Sequence, residues 1–160
     1  MFRDEFKADL ERAKGAEQLV CDVLGNIYLT ANFTNVGDIP EYYYKGDIKA
    51  FDISGKVVFI EVKNDSRIAD TGKVLCEEEV YYKDSDYYGK GNMYNDSDYY
   101  CVVSEKERTI YVFDFKKLKE IYKKYGEYKI IPHASQDTYC YLVELCWCSK
   151  HQALIKKIKY

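Results

Sequence analysis

Apolar side chains at Phe2, Phe6, Leu10, Ala13, Val20 and Leu24 recur at three- and four-residue steps. That spacing predicts a helix from residue 2 to about 24, stopped by Gly25-Asn26. Glu17 falls on the same stripe, and two readings of it stand: a flank residue reaching back to water, or an acid facing inward. Residues 27–34 (IYLTANFT) predict a short strand, followed by a loop with Gly37 and Pro40 as breakers. Residues 46–53 and 57–63 predict two strands joined at Ser54-Gly55, and 74–82 a further strand. Residues 99–104 and 109–113 read as a hairpin, and 114–125 as a helix with Asp114 at its N-cap. A late strand is expected over 139–145 and a short basic helix over 150–160. Asp-Ser-Asp-Tyr-Tyr occurs at 84–88 and again at 96–100 around GKGNMYN, and the segment reads as a long loop. Base stacking by its tyrosines is one use for such a loop.

A length of 160 residues fits one domain with a core of its own. No apolar run is long enough for a membrane span, and the charged start MFRDEFKADLERAK lacks the apolar stretch of a signal peptide. The expected location is therefore cytoplasmic, with no membrane partner. There the six cysteines read as reduced thiols, since they include no C-x2-C pair and neither His133 nor His151 is spaced as a co-ligand. Net charge is −3, so any affinity for nucleic acid has to come from distribution. Acidic residues crowd 77–98, while lysines crowd 116–129 and 150–159.

The chemistry concentrates in GDIKAFDISGKVVFIEVKN, residues 46–64. Along a strand Val57, Phe59, Glu61 and Lys63 share one face, and Val58, Ile60 and Val62 the other. Charges at the end of an apolar strand are costly unless paired or bound to a metal. A three-residue turn after Asp52 would set Asp47 directly opposite Glu61, whereas a two-residue turn would offset it by one. Either way two carboxylates come within reach of one ion, and mutual repulsion would protonate one of them unless a cation intervened. Mg²⁺ suits one or two carboxylates completed by water and phosphate, with Mn²⁺ as a substitute. The Lys63 ammonium, next on the same face, would orient a metal-bound water or stabilise charge on phosphate. Without an ion, Asp47 could instead close a turn while Glu61 and Lys63 form an edge ion pair.

An isolated E-x-K triplet means little, but its surroundings do more. A first helix bearing Glu17 precedes "KGDIKAFD", "VVFIEVKND" and "TGKVLCEEEVYY". Then come "DYYCVVSEKERTIYVFDFKKLKEIYKK" and "TYCYLVEL". This order, over about 1 to 145, resembles the PD-(D/E)xK nuclease superfamily and its phage- and prokaryote-borne, resolvase-like members. Gly46 stands where the family has its proline. The resemblance implies an α/β, restriction-endonuclease-like fold, a mixed sheet flanked by helices. It implies that Asp47 and Glu61 ligate the metal, that Val62 adds a backbone carbonyl, that Lys63 is the catalytic lysine, and that Glu17 is the helix acid at the metal. The expected activity is a Mg²⁺-dependent endodeoxyribonuclease, with branched DNA and a homodimer pairing two sites as further expectations. Lys116, Lys117, Lys119, Lys123 and Lys124 are the candidates to hold the DNA backbone. A non-catalytic DNA-binding or protein-interaction module keeping the same fold, and an enzyme of RNA, are the rival readings.

Overall fold

The computed structural model describes the backbone of residues 2–160 and the side chains of all but residues 2, 3, 5 and 6 of these. Phe2 and Phe6, counted on the helical stripe, therefore lie outside the described side chains. Helix α1 (Phe2–Ile27) runs one turn beyond its expected end, because Tyr28 N–H still donates to Leu24 O at 2.8 Å. Its buried face is Ala16, Val20, Cys21 and Leu24, whereas Leu10 is 47% exposed and Ala13 is also exposed. Among the described side chains of α1, burial begins at Ala16, past Leu10 and Ala13 of the expected stripe.

The expected strand at 27–34 shrinks to β1 (Thr34–Asn35), and the chain before it turns through Asn32 at a positive φ of 49°. β-propensity without a full-length partner makes no strand there. The chain continues through a 3-10 turn (Pro40–Tyr42), β2 (Ile48–Phe51), β3 (Val57–Asn64), α2 (Arg67–Thr71), β4 (Lys73–Tyr82) and β5 (Tyr87–Lys90). A second 3-10 turn (Asn92–Tyr94) leads to β6 (Tyr99–Ser104), β7 (Thr109–Asp114), α3 (Phe115–Tyr125) and β8 (Glu127–Pro132). β9 (Gln136–Glu144), α4 (Leu145–Lys150) and β10 (Leu154–Lys159) complete it. Asp114 caps α3 as expected, its side chain accepting from Lys117 N–H at 3.0 Å. The basic tail is a strand, not a helix: β10 lies antiparallel along β7, with Ile158 opposite Ile110 and buried. Alternation of Ile158 with exposed lysines, read against an available sheet edge, decides the element there.

The fold class is mixed α/β. A six-stranded sheet runs β1-β2-β3-β6-β7-β10, mixed because β3 and β6 pair in parallel while the other neighbours are antiparallel. A parallel pair needs a crossover, and here it carries α2, β4 and β5. The second sheet, β5-β4-β9-β8, is antiparallel throughout. Side-chain alternation in the first sheet then separates two apolar clusters. Ile60, Cys101, Val103 and Ile110 pack under α1. Tyr100, Val102, Tyr111 and Phe113 pack against Val74, Cys76 and Val143 of the second sheet, with Phe115 and Leu118 of α3 between.

The tyrosine-rich segment is not a bare loop. Its first half turns back as β5 along β4, with Tyr88 opposite Tyr81 and their ring centroids 4.6 Å apart. The second Asp-Ser-Asp-Tyr-Tyr copy instead opens β6, so the two copies serve different structures. All six cysteines are free, Cys146 exposed and the others buried. Among the described residues no helix is long and apolar enough to cross a membrane.

Leu118 is fully buried and Leu10 is not, which a denaturant-unfolding comparison will read directly. Leu118→Ala should lower stability by about 2–5 kcal/mol, and Leu10→Ala by no more than about 0.5 kcal/mol. Equal losses would mean that the first turns of α1 pack after all.

Candidate active site

The site is built on the register of the β2–β3 hairpin. Ile48 faces Ile60 and Phe51 faces Val57, with Asp52 N–H donating to Lys56 O at 2.9 Å across the turn. The turn is the three-residue one, residues 53–55. Asp52 Oδ1 fixes it by accepting from Ser54 N–H at 2.8 Å, Ser54 Oγ at 2.6 Å and Lys56 N–H at 3.0 Å. The ladder ends at Ile48 and Ile60, and Asp47, the next residue, donates its N–H to Ile60 O at 2.9 Å, one residue off that register, which leaves its side chain beside the Glu61 end of β3. Gly46 delivers the chain to this point at a φ of +137°, and a Cβ there would stand 2.8 Å from both Ile60 O and Ser97 Oγ. Neither an alanine nor a proline fits: the first collides, and the second is fixed near a φ of about −65°.

Asp47 Oδ2 accepts from Val62 N–H at 2.8 Å, locking the carboxylate across the strand ends. Glu61 Oε2 accepts from Asn95 Nδ2 at 2.6 Å. Lys63, two residues on, places its ammonium against the Glu77 carboxylate, which β4 contributes from the second sheet. Glu17 comes from α1. Its Oε2 accepts from Asn35 Nδ2 at 2.9 Å, and a Cβ on Gly37 would lie 3.1 Å from that oxygen and 3.5 Å from Asp47 Oδ1. Of the two readings of Glu17 the inward one holds, since its carboxylate is half-buried beside Asp47 and not turned out to solvent. Glu17, Asp47, Glu61, Val62, Lys63 and Glu77 line one cavity of about 700 Å³.

Electrostatics in this cavity are short of positive charge. Burial raises Asp47 to about 7, the Val62 N–H bond opposing it and the Glu17 charge adding to it. Burial likewise raises Glu61 to about 8, followed by the charge of Asp47 and, more weakly, of Glu77. Burial also raises Glu17, against the pull of its Asn35 bond. Lys63 moves the other way from a typical buried lysine: burial works to lower it, but the charge and hydrogen bond of Glu77 together hold it above its ordinary value. Lys63 is therefore a firmly protonated ammonium; the other two cations on the lining, Arg12 and Arg67, are paired with Asp9 and Asp65.

No family model, curated protein or solved structure matches this chain. Among the described residues no three His, Cys, Asp or Glu side chains form a ready-made metal cage. The donor set nevertheless fits a small hard cation that takes a pair of carboxylates and fills its remaining positions with water. Asp47 and Glu61 are such a pair, and each is driven toward protonation chiefly by burial, which the Lys63 charge only partly opposes.

The five lysines of α3 divide. Lys119 donates to Asn95 O and lies 4.3 Å from the Phe115 ring centroid, and burial lowers it. Lys123 pairs with Glu78 at 3.1 Å, and Lys117 Nζ reaches Gln152 Oε1 at 3.3 Å. Lys116 and Lys124 are exposed, the latter 5.2 Å from the Tyr125 ring. Two side chains at the site were not singled out from the sequence. Glu77 sits in an apolar strand interrupted by EEE, a charge run that could have flagged it. Asn95 is one asparagine among several in a polar segment and carried no signal.

Both acids have raised values in the folded protein, so the folded state holds more protons than the unfolded chain between their ordinary values and the raised ones. In metal-free protein these two acids should therefore contribute a loss of stability as pH rises from about 4 to about 8. The double variant Asp47→Asn, Glu61→Gln should lose that slope. Denaturant midpoints across this range, in the presence of a chelator, give the answer; a stability that climbs with pH would refute the raised values.

Proposed function

We propose that this protein is a Mg²⁺-dependent endodeoxyribonuclease of the PD-(D/E)xK kind, with a restriction-endonuclease-like arrangement of its mixed sheet. The observation that carries the reading is the meeting of Asp47 and Glu61, from adjacent strand ends, in one cavity with the Lys63 ammonium. Two buried carboxylates that raise each other's affinity for a proton are what a divalent cation relieves. A retired site would have no physical reason to keep the arrangement.

In this reading Asp47 and Glu61 hold the metal, with the Val62 carbonyl and Glu17 completing or tuning its surroundings. Bound there, Mg²⁺, or Mn²⁺ in its place, supplies Lewis acidity and a water of lowered pKa beside the scissile phosphate. Lys63 contributes a permanent positive charge and up to three N–H donors. Its pairing with Glu77 fixes where that charge stands, within reach of the attacking water or of a phosphate oxygen. Asp47 is held by Val62 N–H and Glu61 by Asn95, so neither carboxylate has to be ordered when substrate arrives. Lys116, Lys117 and Lys124 offer charge to the DNA backbone. Lys119 and Lys123 do so only by leaving their present partners. Selectivity for branched DNA and pairing of two sites in a homodimer extend the same proposal.

Two measurements test it. A labelled panel of single-stranded, duplex, flapped and four-way-junction DNA, with RNA alongside, is incubated with Mg²⁺, Mn²⁺ or EDTA. Wild type should cut DNA only with metal, and Asp47→Ala or Glu61→Ala should reduce cutting by about 10²-fold or more with the fold retained. Tight binding of one substrate without cleavage in any metal would favour the non-catalytic module instead, and cutting of RNA alone would change the substrate class. Lys63→Ala should leave metal binding in place and slow cleavage by about 10²-fold; an unchanged rate would confine Lys63 to a structural ion pair.

A further inference from the structure

The segment Gly91–Asp98, between β5 and β6, is fastened on both sides in a way that a mere connection does not require. Gly91 N–H donates to Glu78 O at 2.8 Å. Asn92 Oδ1 accepts from Glu77 N–H at 3.1 Å, while its Nδ2 donates to the buried Tyr100 hydroxyl at 2.9 Å. Asp96 N–H reaches Tyr44 O at 2.7 Å, and Ser97 Oγ reaches Lys45 O at 2.6 Å. Asp98 closes the strap on β3, its N–H donating to Phe59 O and its Oδ2 accepting from Phe59 N–H, both at 2.9 Å. Asn95 lies between these anchors. Its own carbonyl accepts from the Lys119 ammonium and its N–H donates to Asn92 O at 3.0 Å, so the residue is gripped by its backbone while its amide points at Glu61.

We propose that Asn95 is a positioning residue for Glu61, and that the Gly91–Asp98 strap exists to hold it there; this rests on the metal-dependent reading above. A carboxylate on three rotatable side-chain bonds loses rotational freedom when a cation binds it, and a fixed donor to one oxygen removes that freedom beforehand. Asn95 takes Oε2, and the other oxygen of Glu61 accepts no hydrogen bond from any described residue. The choice of an amide matters. An ammonium in this place would neutralise Glu61 and compete with the cation, whereas a neutral N–H orients the carboxylate and leaves its charge available. Lys119, half-buried and bonded to the Asn95 carbonyl, then serves the site by fixing the strap.

Calorimetric titration of the full chain with Mn²⁺ tests this apart from catalysis. Asn95→Leu, which keeps the branched shape of the side chain but removes the donor, should weaken Mn²⁺ binding about tenfold or more. Cleavage by this variant should recover to near the wild-type rate at saturating Mn²⁺, a split that a loss of packing would not produce. Should Asn95→Leu fail to fold by circular dichroism, Asn95→Ser carries the same expectation. Unchanged Mn²⁺ affinity in the variant, with wild type binding and Glu61→Ala not binding, overturns the role of Asn95 alone. So does cleavage that stays low at saturating metal. A wild type that binds no Mn²⁺, or a Glu61→Ala protein that binds it equally well, overturns the metal reading and this inference with it.

Discussion

The antiparallel pairing of β2 with β3 is the constraint on which the cavity depends. Its register is set at the far end of the hairpin, where Asp52 gathers three donors and fixes a three-residue turn. The consequence appears five residues away on each strand, where Asp47 meets Glu61. Because side chains alternate, a slip of one residue would send Glu61 and Lys63 to the α1 side and bring Val62 into their place. Gly46 makes the other half of the arrangement: only a residue without Cβ passes between Ile60 O and Ser97 Oγ at that φ. A surface turn with no chemistry of its own and a glycine with no side chain thus determine where the acids stand.

Holding several buried carboxylates together is unfavourable, and the fold offsets it locally. Val62 N–H, Asn95 and Asn35 each give a hydrogen bond to one acid, and Lys63 pairs with Glu77. Neutral donors lower the cost of an ionised group without cancelling its charge. The cavity therefore keeps a preference for a cation: its acids outnumber its cations, and Arg12 and Arg67 on its lining are paired with Asp9 and Asp65. That unsatisfied preference distinguishes the arrangement from an ordinary ion-pair network, in which the charges balance.

The hairpin, the alternation on β3 and the helix with Asp114 as cap were legible because each depends on neighbours in sequence. Glu17 was legible as a position on a stripe but not as a direction, since which face of α1 is inward is decided by Ile48, Ile60 and Cys101. The tail misled for a related reason: Ile158 among lysines suits a helix until β7 offers an edge to pair with. The strand expected at 27–34 failed because aromatic and β-branched residues form strands only where a partner is present. β8 was missed altogether, its Lys129 and Pro132 obscuring a pattern that only pairing with β9 reveals. Glu77 left a trace in its charge run but not its partner, whereas Asn95 was beyond reach of local reasoning, as it meets β3 across a long stretch of chain.

The parallel pairing of β3 with β6 has one more consequence, for the order in which the protein comes into being. A chain emerging from the ribosome delivers Glu17, Asp47, Glu61 and Lys63 early, but these are held in place by groups that appear later. Glu77 arrives with β4, Asn95 later still, and Tyr100 and Val102, which seat β3 in the interior, come last of these. Until β6 has been made and laid alongside β3, the nascent chain carries the acids without the scaffold that brings them to bear on one another. The meeting of these acids is therefore a property of the chain only once β6 is in place, and not of the shorter lengths that precede it.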